Sequence, residues 1–169
     1  HSALRGLSDA LASMGRWEDA ARICAEAVAL GTSVFGDSSY QAIIDTGNLA
    51  LYCGHAGDYY KAQKAYEDAL RSLEETSRSR HPQYFITLGN YAYLCEDLGE
   101  TNKALFLYRQ ALEGKAIAFG ETSPYLLATK NNIAELLKQQ GELDASLAMQ
   151  EECYSQRASA SVSYTISEP

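Results

Sequence analysis

Apolar and small residues return along this chain every three or four positions. Trp17, Ala20, Cys24, Ala27 and Val28 make one such series. That spacing draws a single stripe down an α-helix. The series recurs as Tyr59, Ala62, Tyr66, Ala69 and Leu70, then as Thr101, Ala104, Tyr108, Ala111 and Leu112. A looser version follows at Leu143, Ser146, Gln150, Cys153 and Tyr154. Between these stripes stand Asn48-Leu49-Ala50-Leu51-Tyr52, Asn90-Tyr91-Ala92-Tyr93-Leu94 and Asn132-Ile133-Ala134-Glu135-Leu136, evenly spaced from one to the next. Gly15, Gly57, Gly99 and Gly141 keep the same step. A fixed period of this size marks a solenoid, in which a helix pair buries its stripe only by stacking on the next pair.

The pattern predicts eight helices, at about 3–14, 16–34, 39–56, 58–77, 82–98, 100–119, 124–140 and 142–157. Each repeated glycine suits the left-handed turn that ends a first helix. Pro82 and Pro124 suit the first turn of a helix, where the missing N–H would have no partner. Ser or Thr ahead of them can cap that same end. Ala20, Ala62 and Ala104 let the two helices of a unit approach, and Ala27, Ala69 and Ala111 do the same toward the next unit. Four units are expected, at about 1–36, 37–78, 79–120 and 121–157. The chain opens inside a helix, as expected of a fragment of a longer array. Residues 158–169 are Ser-rich without helical periodicity and are expected to be a disordered tail.

Composition narrows the function. A net charge of −8 opposes sequence-independent nucleic-acid binding, which needs a basic face, and mildly favours basic or neutral peptide partners. No apolar run approaches a membrane span. Cys24, Cys53, Cys95 and Cys153 include no close pair of zinc type. Cys53 and Cys95 share one repeat slot, which Leu11 and Leu137 fill elsewhere. Buried thiols in a reducing, cytoplasmic setting are expected. No metal or cofactor motif appears, and neither does a catalytic triad order or a phosphate loop, so no enzyme is expected. Most of the tyrosines, including Tyr59, Tyr66 and Tyr108, fall on structural slots. Arg78, Arg80 and His81 form a small basic loop expected to be solvated.

These residues resemble tetratricopeptide repeats of the long, kinesin-light-chain type. Carrying the resemblance are the Asn-Leu-Ala-Leu-Tyr start and the Gly57-Asp58-Tyr59-Tyr60-Lys61-Ala62-Gln63 turn. Ala69-Leu70, Phe35-Gly36, Phe119-Gly120 and His81-Pro82 complete it. It covers residues 4 to about 157. It implies an all-α, right-handed superhelix of four helix-turn-helix repeats whose first helices line a concave groove for a peptide.

On that reading Asn48, Asn90 and Asn132 face the groove, where an amide can both donate to and accept from a peptide backbone. The residues leave a second role open, in which each Asn bonds within its own repeat. Ile44 and Ile86 lie one turn before the first two, and Leu51, Tyr93 and Glu135 lie three residues after each Asn. His55 and Asp97 lie seven after. All share a helix face. They predict an apolar middle and an acidic side made by Asp97, Glu96 and Glu135, with Lys130 as nearly the only base. Kinesin light chains take aromatic-acidic peptides on a basic groove, which these residues do not match. The expected function is a protein-interaction module binding a partner's peptide segment. The alternative is a rigid spacer or self-association domain without a peptide ligand.

Overall fold

The computed structural model describes residues 1–121 and 123–165, with side chains as far as 158. Among these residues all regular structure is helical. The elements are α1 (Ser2–Ser13), α2 (Trp17–Phe35), α3 (Tyr40–His55), α4 (Tyr59–Glu75), α5 (Pro82–Asp97), α6 (Thr101–Phe119), α7 (Pro124–Gln139) and α8 (Leu143–Thr165). The first seven follow the apolar periodicity to within two or three residues. α8 runs on to Thr165, past residue 157 where the stripe fades. The predicted disordered tail therefore begins in helix, and its residues 166–169 lie outside the described residues.

Local chemistry sets the helix ends. The Ser39 and Asp58 side chains accept from the backbone N–H of Ala42 and Lys61. Ser123 does so for Tyr125, just ahead of Pro124. Before Pro82 the cap is the His81 ring, which accepts from Gln83 N–H at 3.2 Å, and not a serine. At the turn into α4, Gly57 takes φ +83°. Its N–H reaches Gly54 O and that of Asp58 reaches Cys53 O, at 3.0 and 2.9 Å. This paired closure needs a left-handed residue at its centre. Gly99 repeats it one unit on.

Each helix packs chiefly on its neighbours in sequence, and α3 also touches α5. Ala20, Ala62 and Ala104 are fully buried, and so are Ala27, Ala69 and Ala111. Tyr66 and Tyr108 are core residues. Tyr59, placed with them by its register, is instead 42% exposed because it stands at the helix start. All four cysteines are buried and free. In the last pair Ser146 is buried and donates to Ala134 O at 2.7 Å, while Leu143, Gln150 and Tyr154 are exposed. No helix among the described residues is long and apolar enough to cross a membrane.

A recurrent slot lies between successive first helices. Between α1 and α3 it holds an ion pair, Arg5 Nε to the buried Asp45 at 2.9 Å, with His1 Nε2 2.5 Å from the same carboxylate. Burial raises the Asp45 pKa, and Arg5 opposes the rise. One repeat on, Leu73 of α4 takes the place of Gly31, the glycine beside His1 and Asp45, and Thr87 takes that of Asp45, both buried. Another repeat on, they become Lys115 and Thr129, joined Nζ to Oγ1 at 2.9 Å.

Candidate functional site

Ile44, Asn48, Leu51 and His55 fall on one side of α3. Their equivalents Ile86, Asn90, Tyr93 and Asp97 fall on the same side of α5, and Asn132 and Glu135 on that of α7. The structure brings several of them together. Leu51, His55, Asn90, Tyr93 and Asp97 meet at one depression between α3 and α5, floored by Tyr66 and Gly54. The depression holds only about 10 Å³, room for about one water.

The three asparagines differ in what holds them. Asn132 Nδ2 donates to Tyr108 Oη at 3.0 Å, so it ties α7 to the second helix of the preceding unit. That hydroxyl in turn donates to Glu96 Oε2 at 3.1 Å. Asn48 and Asn90 are half-buried and make no side-chain hydrogen bond among the described residues. Asn90 lies beside Tyr66 as Asn132 lies beside Tyr108, but Gly54 stands where Glu96 would be. The carboxylate that orders the later network is thus missing from the earlier one, and the depression opens in its place.

Tyr93 is 44% exposed and sits among acids. Asp97 raises its phenol pKa most, followed by burial and Glu96. Burial also raises the Glu96 pKa, and the charges of Asp97 and Glu135 add to it. Lys138 reaches Glu135 at 3.4 Å on the exposed rim. A row of rings crosses the same surface. Trp17 stacks on His55 with centroids 4.3 Å apart, and His55 stands 6.3 Å from Tyr93. Sequence reasoning missed Trp17 here, because its helical stripe reads as core. It missed Gly54 too, although the Gly54/Glu96 difference at one repeat slot was the available signal.

Lys130 does not belong to this face. It is 5% exposed, and its ammonium reaches Glu152 Oε1 at 2.7 Å and Gln156 Oε1 at 3.4 Å, both on α8. It lies two residues before Asn132, about 200° around the helix, so it turns inward to the next helix. The predicted groove loses its one base. Among the described residues no cluster could hold a metal ion.

A tetratricopeptide-repeat family model matches residues 1–75 and 40–116, and a second matches 126–155. The chain belongs to the tetratricopeptide-repeat family. Among the described residues it is an all-α solenoid of four repeats, two helices each. A Podosopora anserina structure of "kinesin light chain nearly identical TPR-like repeats" superposes with TM-score 0.81 at 18% identity. The match covers 94% of this chain and 75% of that one. BtubC (BKLC) from P. vanneervenii superposes with TM-score 0.82 at 22% identity, covering 92% of this chain and 61% of that one. At these identities the likeness concerns the fold. No curated protein matches the chain. The tetratricopeptide repeat is a protein-interaction module, and that coarse function is this chain's.

Proposed function

We propose that the face of α3, α5 and α7 is a concave groove that binds a partner's peptide segment carrying a basic side chain. The observation that supports it is the pairing of unspent amides with a carboxylate at Asp97 that is unpaired among the described residues. Asn48 and Asn90 have backbone-binding groups free, and Tyr93 stands exposed between Asp97, Glu96 and Glu135. A lysine or arginine laid on Tyr93 would meet a ring face and carboxylates at once. The preformed helices leave the ordering cost on the peptide side. Within the parent protein such a module would serve as a scaffold or adaptor.

The test is a pull-down from cell extract with the wild type, an Asn48→Ala/Asn90→Ala variant and an Asp97→Lys/Glu135→Lys variant, all checked for fold by circular dichroism. Partners lost from both folded variants support the groove. Partners kept by both refute it. The spacer or self-association reading rests on one specific observation, the small volume of the depression beside Asn90. It predicts no groove-dependent partner in the same experiment.

A further inference from the structure

A second concavity lies on the opposite side of α3. Its floor is Leu49 and Cys53, and α2 and α4 form its walls with Ala21, Ala25 and Ala65. It encloses about 640 Å³. At 100° per residue, Thr46, Leu49, Cys53 and Ala56 point about 150° away from Ile44, Asn48, Leu51 and His55. This trough and the peptide groove are therefore separate surfaces, and their tests stand or fall independently.

The repeat register shows what is missing from the trough. One unit on, the same slot is filled by the chain's own Tyr91. Its ring stacks on Tyr66 at 5.6 Å, its hydroxyl donates to Glu67 Oε1 at 2.7 Å, and Lys103 Nζ donates to it at 2.8 Å. In the trough, one repeat earlier, Leu49 stands in the place of Tyr91, Cys24 in that of Tyr66 and Ala25 in that of Glu67. Two rings and a carboxylate are gone. The lysine is not: Lys103 becomes Lys61, beside Asp58 at 2.7 Å as Lys103 is beside Glu100 at 3.4 Å. Half of a phenol site is kept, with the phenol removed. The rim charges balance, with Glu18, Asp58 and Asp68 against Arg22, Lys61 and Lys64. The trough therefore selects for a ring and not for a charged ligand, unlike the acidic face behind it.

We infer that the α2–α4 trough is a docking site for an uncharged segment of a partner protein that seats a tyrosine ring over Leu49, its hydroxyl bonded to Lys61. The floor from Thr46 to Ala56 is about 15 Å long at 1.5 Å per residue, which matches about five residues of extended chain.

The experiment uses the whole chain, ¹⁵N-labelled, titrated with acetyl-Ala-Ala-Tyr-Ala-Ala-amide, with acetyl-Ala-Ala-Ala-Ala-Ala-amide and with 4-methylphenol. The Tyr peptide should shift the amides of Ala21, Ala25, Leu49, Cys53 and Ala65, with at least tenfold tighter binding than the all-Ala peptide. Leu49→Tyr rebuilds the ring of the next repeat and should weaken binding at least tenfold. Ala25→Glu, at an exposed site, restores the carboxylate that accepts from the Tyr91 hydroxyl one repeat on and should tighten binding of the Tyr peptide. Equal binding of the two peptides, full affinity in Leu49→Tyr, weaker binding of the Tyr peptide by Ala25→Glu, or no shift in the trough would each overturn the inference. Saturation by 4-methylphenol with the Tyr peptide excluded would also overturn it, by making the trough a small-molecule pocket.

Discussion

Replacing Lys115 with leucine should stabilise the array. Lys115 is 8% exposed, between α5 and α7. Its ammonium donates to Thr129 Oγ1 at 2.9 Å and has no carboxylate partner among the described residues. Burial alone pushes its pKa down. A buried charge with one neutral partner costs several kcal/mol of desolvation, and apolar replacement of such groups gains about 1–4 kcal/mol. The preceding repeat shows that the slot accepts leucine, since Leu73 occupies it fully buried. Thr129 would not be orphaned, because its hydroxyl also reaches Tyr125 O at 3.0 Å. Lysine and leucine have similar helix propensities, so that contribution cancels. We therefore expect Lys115→Leu to gain about 1–3 kcal/mol at pH 7, or roughly 2–12 °C in Tm for a chain of this size. Urea denaturation followed by circular dichroism measures it. The sign with pH is fixed as well. A lysine pKa lowered by folding penalises the native state below that pKa, and the penalty fades as pH rises toward the unfolded value of about 10.4. The gap between variant and wild type should thus shrink from pH 7 to 10.5. A variant less stable than wild type at pH 7, or a gap that does not change with pH, would refute the reasoning.

Other expectations follow from single contacts. A Cβ on Gly114 would lie 2.0 Å from the Phe85 ring, so Gly114→Ala should cost about 1–3 kcal/mol by overpacking despite better helix propensity; Phe85→Leu in the same chain should recover most of that loss in urea melts. Asn132→Ala should cost about 1 kcal/mol through the lost Tyr108 bond, whereas Asn48→Ala and Asn90→Ala should stay within about 0.5 kcal/mol, as denaturation midpoints would show. Burial pushes the Cys24 thiol up to about 12 and Cys95 to about 11. These raised values stabilise the fold below the unfolded thiol pKa of about 8.5 and lose effect as pH climbs through them. Stability should therefore fall above about pH 8.5, less steeply in Cys95→Ala, and native thiols should react with a disulfide reagent only on unfolding.

The architecture was legible because it is written in register. One helix pair cannot bury Tyr66 or Ala69 alone, so the stacking partner had to carry the same stripe one repeat on, and it does. The shared face of the site residues was legible to the same extent. Leu51, His55, Asn90, Tyr93 and Asp97 share a period and therefore a face, and they meet. What register cannot give is the partner of each side chain. Asn90 and Asn132 read identically, yet only Asn132 is bonded, because Glu96 orders Tyr108 and Gly54 leaves Tyr66 without that carboxylate. Lys130 stands two residues from Asn132, near in sequence but on the inward side of the helix, which proximity along the chain conceals. The end of α8 was hidden because Ser-rich sequence has no apolar stripe to count. The trough opposite that face shows up in sequence only as a difference, Leu49 against Tyr91, which matters once the neighbouring unit shows what the slot can hold.

The central claim is that the face of α3, α5 and α7 receives a basic peptide segment. Photo-crosslinking tests it most directly, with a benzophenone amino acid placed at residue 51 on that face or at residue 109 on the outside of α6, in cell extract. The account predicts crosslinks from residue 51 to a lysine- or arginine-bearing segment, few from residue 109, and loss of the former with Asp97→Lys. Equal capture at both positions, or capture at residue 51 that Asp97→Lys leaves intact, would contradict it.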